Sequence, residues 1–202
     1  MTLSVPTDPI TRAVYRHILR TFAETGHPPS TEAIAAAVGL PDAAADRYLR
    51  IIEAADGLCR DPATGNILSA YPFSAAPTPH RVELGTGATV YALCVIDALG
   101  IPFLLDTDAV IHSACAHCGS GLTVRVVGGA LSGVSPAETV VVCASAPADC
   151  YAATGQCPFI NFFCSPTHAQ AWRETHTGVR SALMDVAGAA ACGRQVFAPL
   201  LR

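Results

Sequence analysis

The sequence predicts an α+β protein, a small helical N-terminal module followed by a mixed or antiparallel sheet carrying helices. Three observations lead there. Ile10, Val14, Ile18 and Phe22 recur every four positions, the period of one helix face. The middle of the chain instead carries short runs rich in β-branched residues, at 109–113, 122–127 and 139–144. Helical patterning returns at 166–175 and over much of 181–200. With 202 residues, 51% apolar and 14% charged, the chain can bury a substantial core.

Taken in order, Asp8-Pro9 supplies an N-cap and first helical residue, and Gly26-His27-Pro28-Pro29 ends that first helix. Ser30 or Thr31 caps a short helix that runs to Gly39. Pro41-Asp42 then opens a third, with Ala45, Leu49 and Ile52 facing inward, which stops by Gly57. The turn-rich stretch 58–70, with Asp61-Pro62 and Gly65-Asn66 between short apolar runs, reads as a hairpin. Three helices and a hairpin suggest a winged-helix-like module over residues 1–70. Its third helix carries Asp42, Asp46, Arg47, Arg50 and Glu53, whose signs nearly cancel, so packing or covering a substrate is the preferred role over DNA binding. Residues 71–79 contain three prolines and no period, and read as a linker. Residues 80–202 form the second module. It opens with a hairpin turning at Gly85-Thr86-Gly87, and a helix holding Cys94 and Asp97 follows, ending near Gly100-Ile101-Pro102.

Charge and cysteine usage narrow the function classes. All twelve basic residues are Arg and the net charge is −4, which argues against a polyanionic partner such as nucleic acid. The longest stretch without Asp, Glu, Lys or Arg, residues 150–172, is interrupted by Pro158, Asn161, Pro166, His168 and Gln170, so no membrane span is expected. No basic segment followed by an apolar run lies near Met1, and a cytoplasmic location is expected. Nine cysteines then read as reduced thiols, available as ligands, nucleophiles or core filler. The chain carries no Gly-x-Ser-x-Gly, Walker-type loop or Gly-x-Gly-x-x-Gly, which removes the sequence support for serine hydrolase and nucleotide-binding readings. His80, His112, His117, His168 and His176 could each serve a cysteine hydrolase, but no motif ties one to Cys94.

Cys94 and Asp97 are three residues apart at the start of a helix, which puts a thiol beside an acid on one face. The helix dipole should lower the Cys94 pKa, and the like charge of Asp97 should oppose it, so one of the two holds a proton. Asp97 is the expected holder in the resting state. A bare Cys-x-x-Asp reads more simply as a buried small residue and a helix-end charge. Its surroundings alter that reading. The segments Val90-Tyr-Ala-Leu-Cys94-Val-Ile-Asp97-Ala-Leu-Gly-Ile-Pro102 and Gly155-Gln-Cys157-Pro-Phe-Ile-Asn-Phe162-Phe163 together resemble the bacterial organomercurial (alkylmercury) lyases, over roughly residues 80–200.

The resemblance implies an enzyme in which Cys94, Asp97 and Cys157 are catalytic. Two thiolates would capture the organomercurial, the carboxyl would protonate the departing carbon, and Hg(II) would remain on Cys94 and Cys157. It implies no required metal or organic cofactor. Its partners would be an organomercurial, cellular thiols and a mercuric reductase, and the family carries a comparable helical N-terminal region. The chain departs from some members after Cys157, where Pro158, Phe159 and Asn161 replace a further Cys and His residues. This bears on the shape of the pocket.

Cys115 matches a further family cysteine of structural character, whereas Cys118, which completes a Cys-x2-Cys, is not expected from the family. Such a pair is half of a zinc site that His112, His117, Cys150, Cys157 or Cys164 could complete. With no second Cys-x2-Cys, two unbridged thiols are preferred over a structural zinc. Cys59, Cys143 and Cys192 read as core filler. Two alternatives to the lyase stand beside it. One uses the same two-cysteine pocket on another organometal or in small-molecule biosynthesis. The other is a soft-metal-responsive DNA-binding regulator.

Overall fold

The computed structural model describes residues 8–145 and 155–201. The chain runs α1 (Pro9–Thr25), α2 (Thr31–Val38), α3 (Asp42–Ala54), β1 (Leu58–Arg60), β2 (Ile67–Ala70), β3 (Phe73–Ser74), β4 (His80–Leu84), β5 (Thr89–Ala92), α4 (Val95–Leu105), β6 (Ala109–Ala114), β7 (Gly121–Val127), β8 (Ala130–Ser135) and β9 (Val140–Ser145). After a 3-10 turn, Cys157–Phe159, come β10 (Asn161–Phe163), α5 (Pro166–Thr175), β11 (Arg180–Asp185) and α6 (Val186–Phe197). Eight strands form one sheet in the order β1-β2-β3-β5-β4-β6-β7-β8, and three form another in the order β10-β9-β11. Every pairing is antiparallel, which makes this an α+β fold.

The N-terminal helices form where their caps dictate. The Asp8 carboxylate accepts from the N–H groups of Ile10 and Thr11, and Gly26 takes the left-handed conformation that ends α1. Ser30 caps α2 and Gly39 terminates it in the same way. Val14, Ile18 and Phe22 are buried, but Ile10, in the first turn, is 41% exposed. Phe22 stacks on Phe73 of β3, with ring centroids 5.4 Å apart. On the outer side, Arg60 of β1 bridges Asp46 at 2.7 Å and Glu53 at 2.9 Å, while Arg50 meets Asp46 at 2.7 Å. Asp46 and Glu53 of α3 therefore bind its own hairpin.

Four expectations need correction. Residues 71–79 are not a bare linker, because Phe73–Ser74 pairs with both β2 and β5 and carries the sheet across from the N-terminal hairpin. The helix α4 continues through Pro102 to Leu105. The ring removes one helical N–H, but α4 is buried along most of its length and packing outweighs that loss. Residues 180–185 are a strand, not helix: they pair with β9, and the Asp185 side chain then accepts from the Gly188 N–H to start α6. Strand β8 was not foreseen, because Gly133 and two serines, Ser132 and Ser135, weaken its pattern.

Helices α4 and α6 cross at a pair of glycines. A methyl group on Gly193 would sit 2.7 Å from the Ile96 carbonyl oxygen, and one on Gly100 would sit 2.2 Å from Phe197 Cδ2. This close approach lets α6 cover the helix that carries Asp97. Among the described residues, no helix is long and apolar enough to cross a membrane.

Candidate active site

Strand β5 delivers the chain to Cys94, which occupies the N-cap of α4 in an extended conformation. Asp97 lies in the first turn of that helix, and both side chains are fully buried. The second segment reaches them through the backbone: the Val95 N–H, one of the donors a helix start leaves free, donates to the Ile160 carbonyl at 3.3 Å. Cys157 opens the turn just before it, which closes when Ile160 N–H donates back to the Cys157 carbonyl at 3.1 Å. Cys157 thus sits at a turn-to-strand junction, as the sequence suggested.

The two segments bring Cys94, Asp97 and Cys157 together, their sulfur and carboxylate atoms all within 4.8 Å of one another. The Cys157 thiol donates to Asp97 Oδ2 at 3.6 Å, and Asp97 Oδ1 is buried without a hydrogen-bond partner. Tyr71 was not foreseen. Its hydroxyl lies 3.7 Å from Cys157 Sγ, and its carbonyl accepts from the Tyr15 hydroxyl, which also donates to the Gly57 carbonyl. Helix α1 is thereby connected to the cluster through Tyr15 and Tyr71. A tyrosine in a proline-rich stretch carries no sequence signal for this, since only the pairing of β3 turns it inward.

Burial dominates the electrostatics. It raises the Asp97 pKa to about 7, although hydrogen bonds from Cys94 and Cys157 pull the other way. It also pushes the Cys94 thiol well above its ordinary value, helped by the hydrogen bond with Cys157 and the charge of Asp97. The expected lowering of Cys94 by the helix dipole is therefore overturned, because desolvating the sulfur completely costs more than a helix terminus returns. Burial likewise raises Tyr71, which stays a neutral hydroxyl. Near neutral pH the cluster therefore holds a protonated Cys94 thiol beside a carboxyl poised between its two protonation states.

No histidine hydrogen-bonds to Cys94 or Cys157 among the described residues, so a cysteine-hydrolase dyad is not assembled there. His80 is buried, lies 2.9 Å from Ser113 Oγ, and is held neutral with a pKa lowered to about 4 by burial. His112 lies 3.2 Å from Glu83, and His176 stacks on Trp172. Cys115, Cys118, Cys164 and His168 form a second cluster, again with all ligand atoms within 4.8 Å. Cys164 was a considered companion of the Cys-x2-Cys, but His168 was overlooked. The Cys164-x3-His168 spacing across the start of α5 was the available signal. Cys150 lies outside the described residues, and His112, His117 and Cys157 are not members of this cluster. Cys143 packs against Met184 at 3.2 Å, while Cys59 and Cys192 are half-buried.

An antiparallel α+β fold that buries two thiols around one carboxyl defines a class of protein suited to seizing a soft electrophile and handling a proton beside it. Comparison with known proteins gives the family. The alkylmercury lyase (MerB) family profile matches residues 73–198. An alkylmercury lyase of Pseudomonas putida is 32% identical over 176 residues, 87% of this chain and 79% of that protein. One from Staphylococcus epidermidis is 29% identical over 185 residues, 92% of this chain and 82% of that protein. A crystal structure of the mercury-bound form of MerB2 superposes with a TM-score of 0.81 at 26% identity, covering 96% of this chain and 93% of that one. This chain belongs to the alkylmercury lyase family.

Proposed function

We propose that this enzyme cleaves the carbon–mercury bond of an organomercurial by protonolysis, with Cys94 and Cys157 as mercury ligands and Asp97 as the proton carrier. The observation that supports this most directly is the convergence of these three side chains in a dry site. The substrate arrives as R–Hg bound to a cellular thiolate. One cysteine thiol gives its proton to Asp97 and bonds mercury, and the cellular thiolate leaves. The second cysteine then gives up its proton to the departing thiolate as its sulfur joins the metal. With the extra ligand the Hg–C bond weakens, Asp97 delivers its proton to carbon, and R–H departs. Two thiol protons enter, one leaving on the hydrocarbon and one on the released thiol. Hg(II) stays on two sulfurs until external thiols or a mercuric reductase remove it.

The Asp97 pKa of about 7 suits this exchange, because a group poised near neutrality can both take and give a proton. Soft thiolates select mercury over harder cations. In this reading the N-terminal helices cover the site, since Tyr15 supports Tyr71 against Cys157 and Asp46 and Glu53 of α3 are occupied by Arg60. The reaction belongs in the cytoplasm, where cellular thiols are reduced. Incubation with methylmercury and excess thiol should release methane over many turnovers. A folded, fully reduced protein that gives no methane would shift the assignment to another organometal.

A further inference from the structure

The geometry points to a structural zinc site formed by Cys115, Cys118, Cys164 and His168, separate from the cluster of Cys94, Asp97 and Cys157. It rests on a different set of residues from the proposed chemistry. Three sulfurs and one imidazole are a donor set of closed zinc sites, in which the protein fills all four tetrahedral positions and leaves none for substrate. A tetrahedron with zinc–sulfur bonds of about 2.3 Å sets its sulfurs about 3.8 Å apart and each sulfur about 3.6 Å from the nitrogen. The Cys118 and Cys164 sulfurs lie 3.8 Å apart, and Cys115 Sγ lies 3.7 Å from His168 Nδ1. Cys164 Sγ to His168 Nδ1 is shorter, at 3.1 Å, and a small rotation of the imidazole opens it.

Local structure prepares each ligand. Cys115 and Cys118 flank a tight loop between β6 and β7, closed by Gly119 N–H to the Cys115 carbonyl at 2.8 Å and Cys115 N–H to the Ser120 carbonyl at 2.9 Å. Gly119, at φ +73, permits the sharp return that directs both sulfurs to one side. Ser120 Oγ lies 3.2 Å from Cys118 Sγ, a hydrogen-bond partner of the kind that orients a thiolate ligand. Cys164 directly follows β10, and His168 stands in the first turn of α5, capped by Ser165. The ring of His117 packs on that of His168, with centroids 4.7 Å apart.

The position of the site gives it a purpose. It would tie the β6–β7 loop of the large sheet to the end of β10 in the small one, beside the backbone bond from Ala116 N–H to the Phe162 carbonyl. Strand β10 begins directly after the turn that carries Cys157. A metal on Cys164 would therefore add to the three-residue strand and the backbone bonds at Ile160 and Phe162 in fixing the segment that places Cys157 against Asp97.

The test uses the full chain, produced in mercury-free, zinc-containing medium and isolated under reducing conditions without chelator. Elemental analysis should find about one zinc per chain. Cobalt(II) exchanged into the wild-type protein should give thiolate charge-transfer bands and the intense visible absorption of a tetrahedral site. Cys118→Ser and His168→Gln should lose most of the zinc, whereas Cys94→Ala and Cys157→Ala should keep it. The cobalt spectrum is read on the wild type and does not depend on any variant folding. Wild-type protein without zinc and without a tetrahedral cobalt spectrum would overturn the assignment, as would a Cys118–Cys164 disulfide found by mass in the freshly isolated, reduced protein. Zinc that is lost from Cys94→Ala or Cys157→Ala but retained in Cys118→Ser and His168→Gln would place the metal at the other cluster and overturn it as well.

Discussion

The Cys157 thiol points at Asp97 Oδ2 from 3.6 Å, while the other oxygen of that carboxylate is buried without any partner. A buried carboxylate normally collects several donors, since an unsatisfied lone pair away from water is costly. Here one oxygen faces a thiol and the other has no hydrogen-bond partner. This relationship between two residues sixty positions apart motivates the first three predictions.

Cys94→Ser and Cys157→Ser should each abolish turnover. A hydroxyl is a hard ligand with a much higher pKa than a thiol and does not replace thiolate on mercury. Hydrocarbon release in the headspace is the measurement, with folding followed by circular dichroism. Full activity in either folded variant would remove the two-thiolate mechanism.

Asp97→Asn keeps size and polarity but loses the acidic proton. It should still take up one organomercurial through Cys94 and Cys157, seen by mass spectrometry, yet release hydrocarbon slower by a factor of at least ~10². Normal release from the well-folded variant would end the proton-carrier role.

The same aspartate should leave a mark on stability. Its pKa is raised from 3.8 to about 7, so between those values the native protein retains a proton that the unfolded chain has lost. Native stability therefore falls as pH rises through this window, by about 4 kcal/mol if the whole shift is realised. The penalty is absent below about pH 4 and complete above about pH 7. Asp97→Asn carries no such term, so its stability should gain on wild type as pH rises from about 4 to about 7. Urea unfolding of both proteins across that range measures the difference, and a gap that does not change with pH would contradict the raised pKa.

The crossing of α4 and α6 offers a test of packing. Gly193→Ala places a methyl 2.7 Å from the Ile96 carbonyl oxygen and 2.9 Å from the Gly100 nitrogen, backbone atoms that cannot rotate away. It should cost about 1–3 kcal/mol despite the better helix propensity of alanine. Gly178→Ala, which meets nothing within 4 Å, should stay within about 0.5 kcal/mol of wild type. Thermal unfolding compares the two, and equal midpoints would show that the helices can move apart at little cost.

Much of this protein could be read along the chain, because the signals concerned are local. The caps at Asp8 and Ser30, the stops at Gly26 and Gly39, and the inward face of Val14, Ile18 and Phe22 depend on contacts a few residues away. The Cys94–Asp97 pair also lies within one helical turn, and its surroundings, with those of Cys157, were enough to suggest the family. What tertiary structure alone decided depends on distant partners. Residues 180–185 became a strand because β9 was there to pair with them, and 71–79 joined the sheet because Phe73 found Phe22 and β5. The Cys94 thiol was raised rather than lowered because complete burial, which spacing does not reveal, outweighs a helix dipole. The meeting of Cys115 and Cys118 with Cys164 and His168 followed only from the docking of β10 against the β6–β7 loop, since metal ligands from two sheets share no period in sequence.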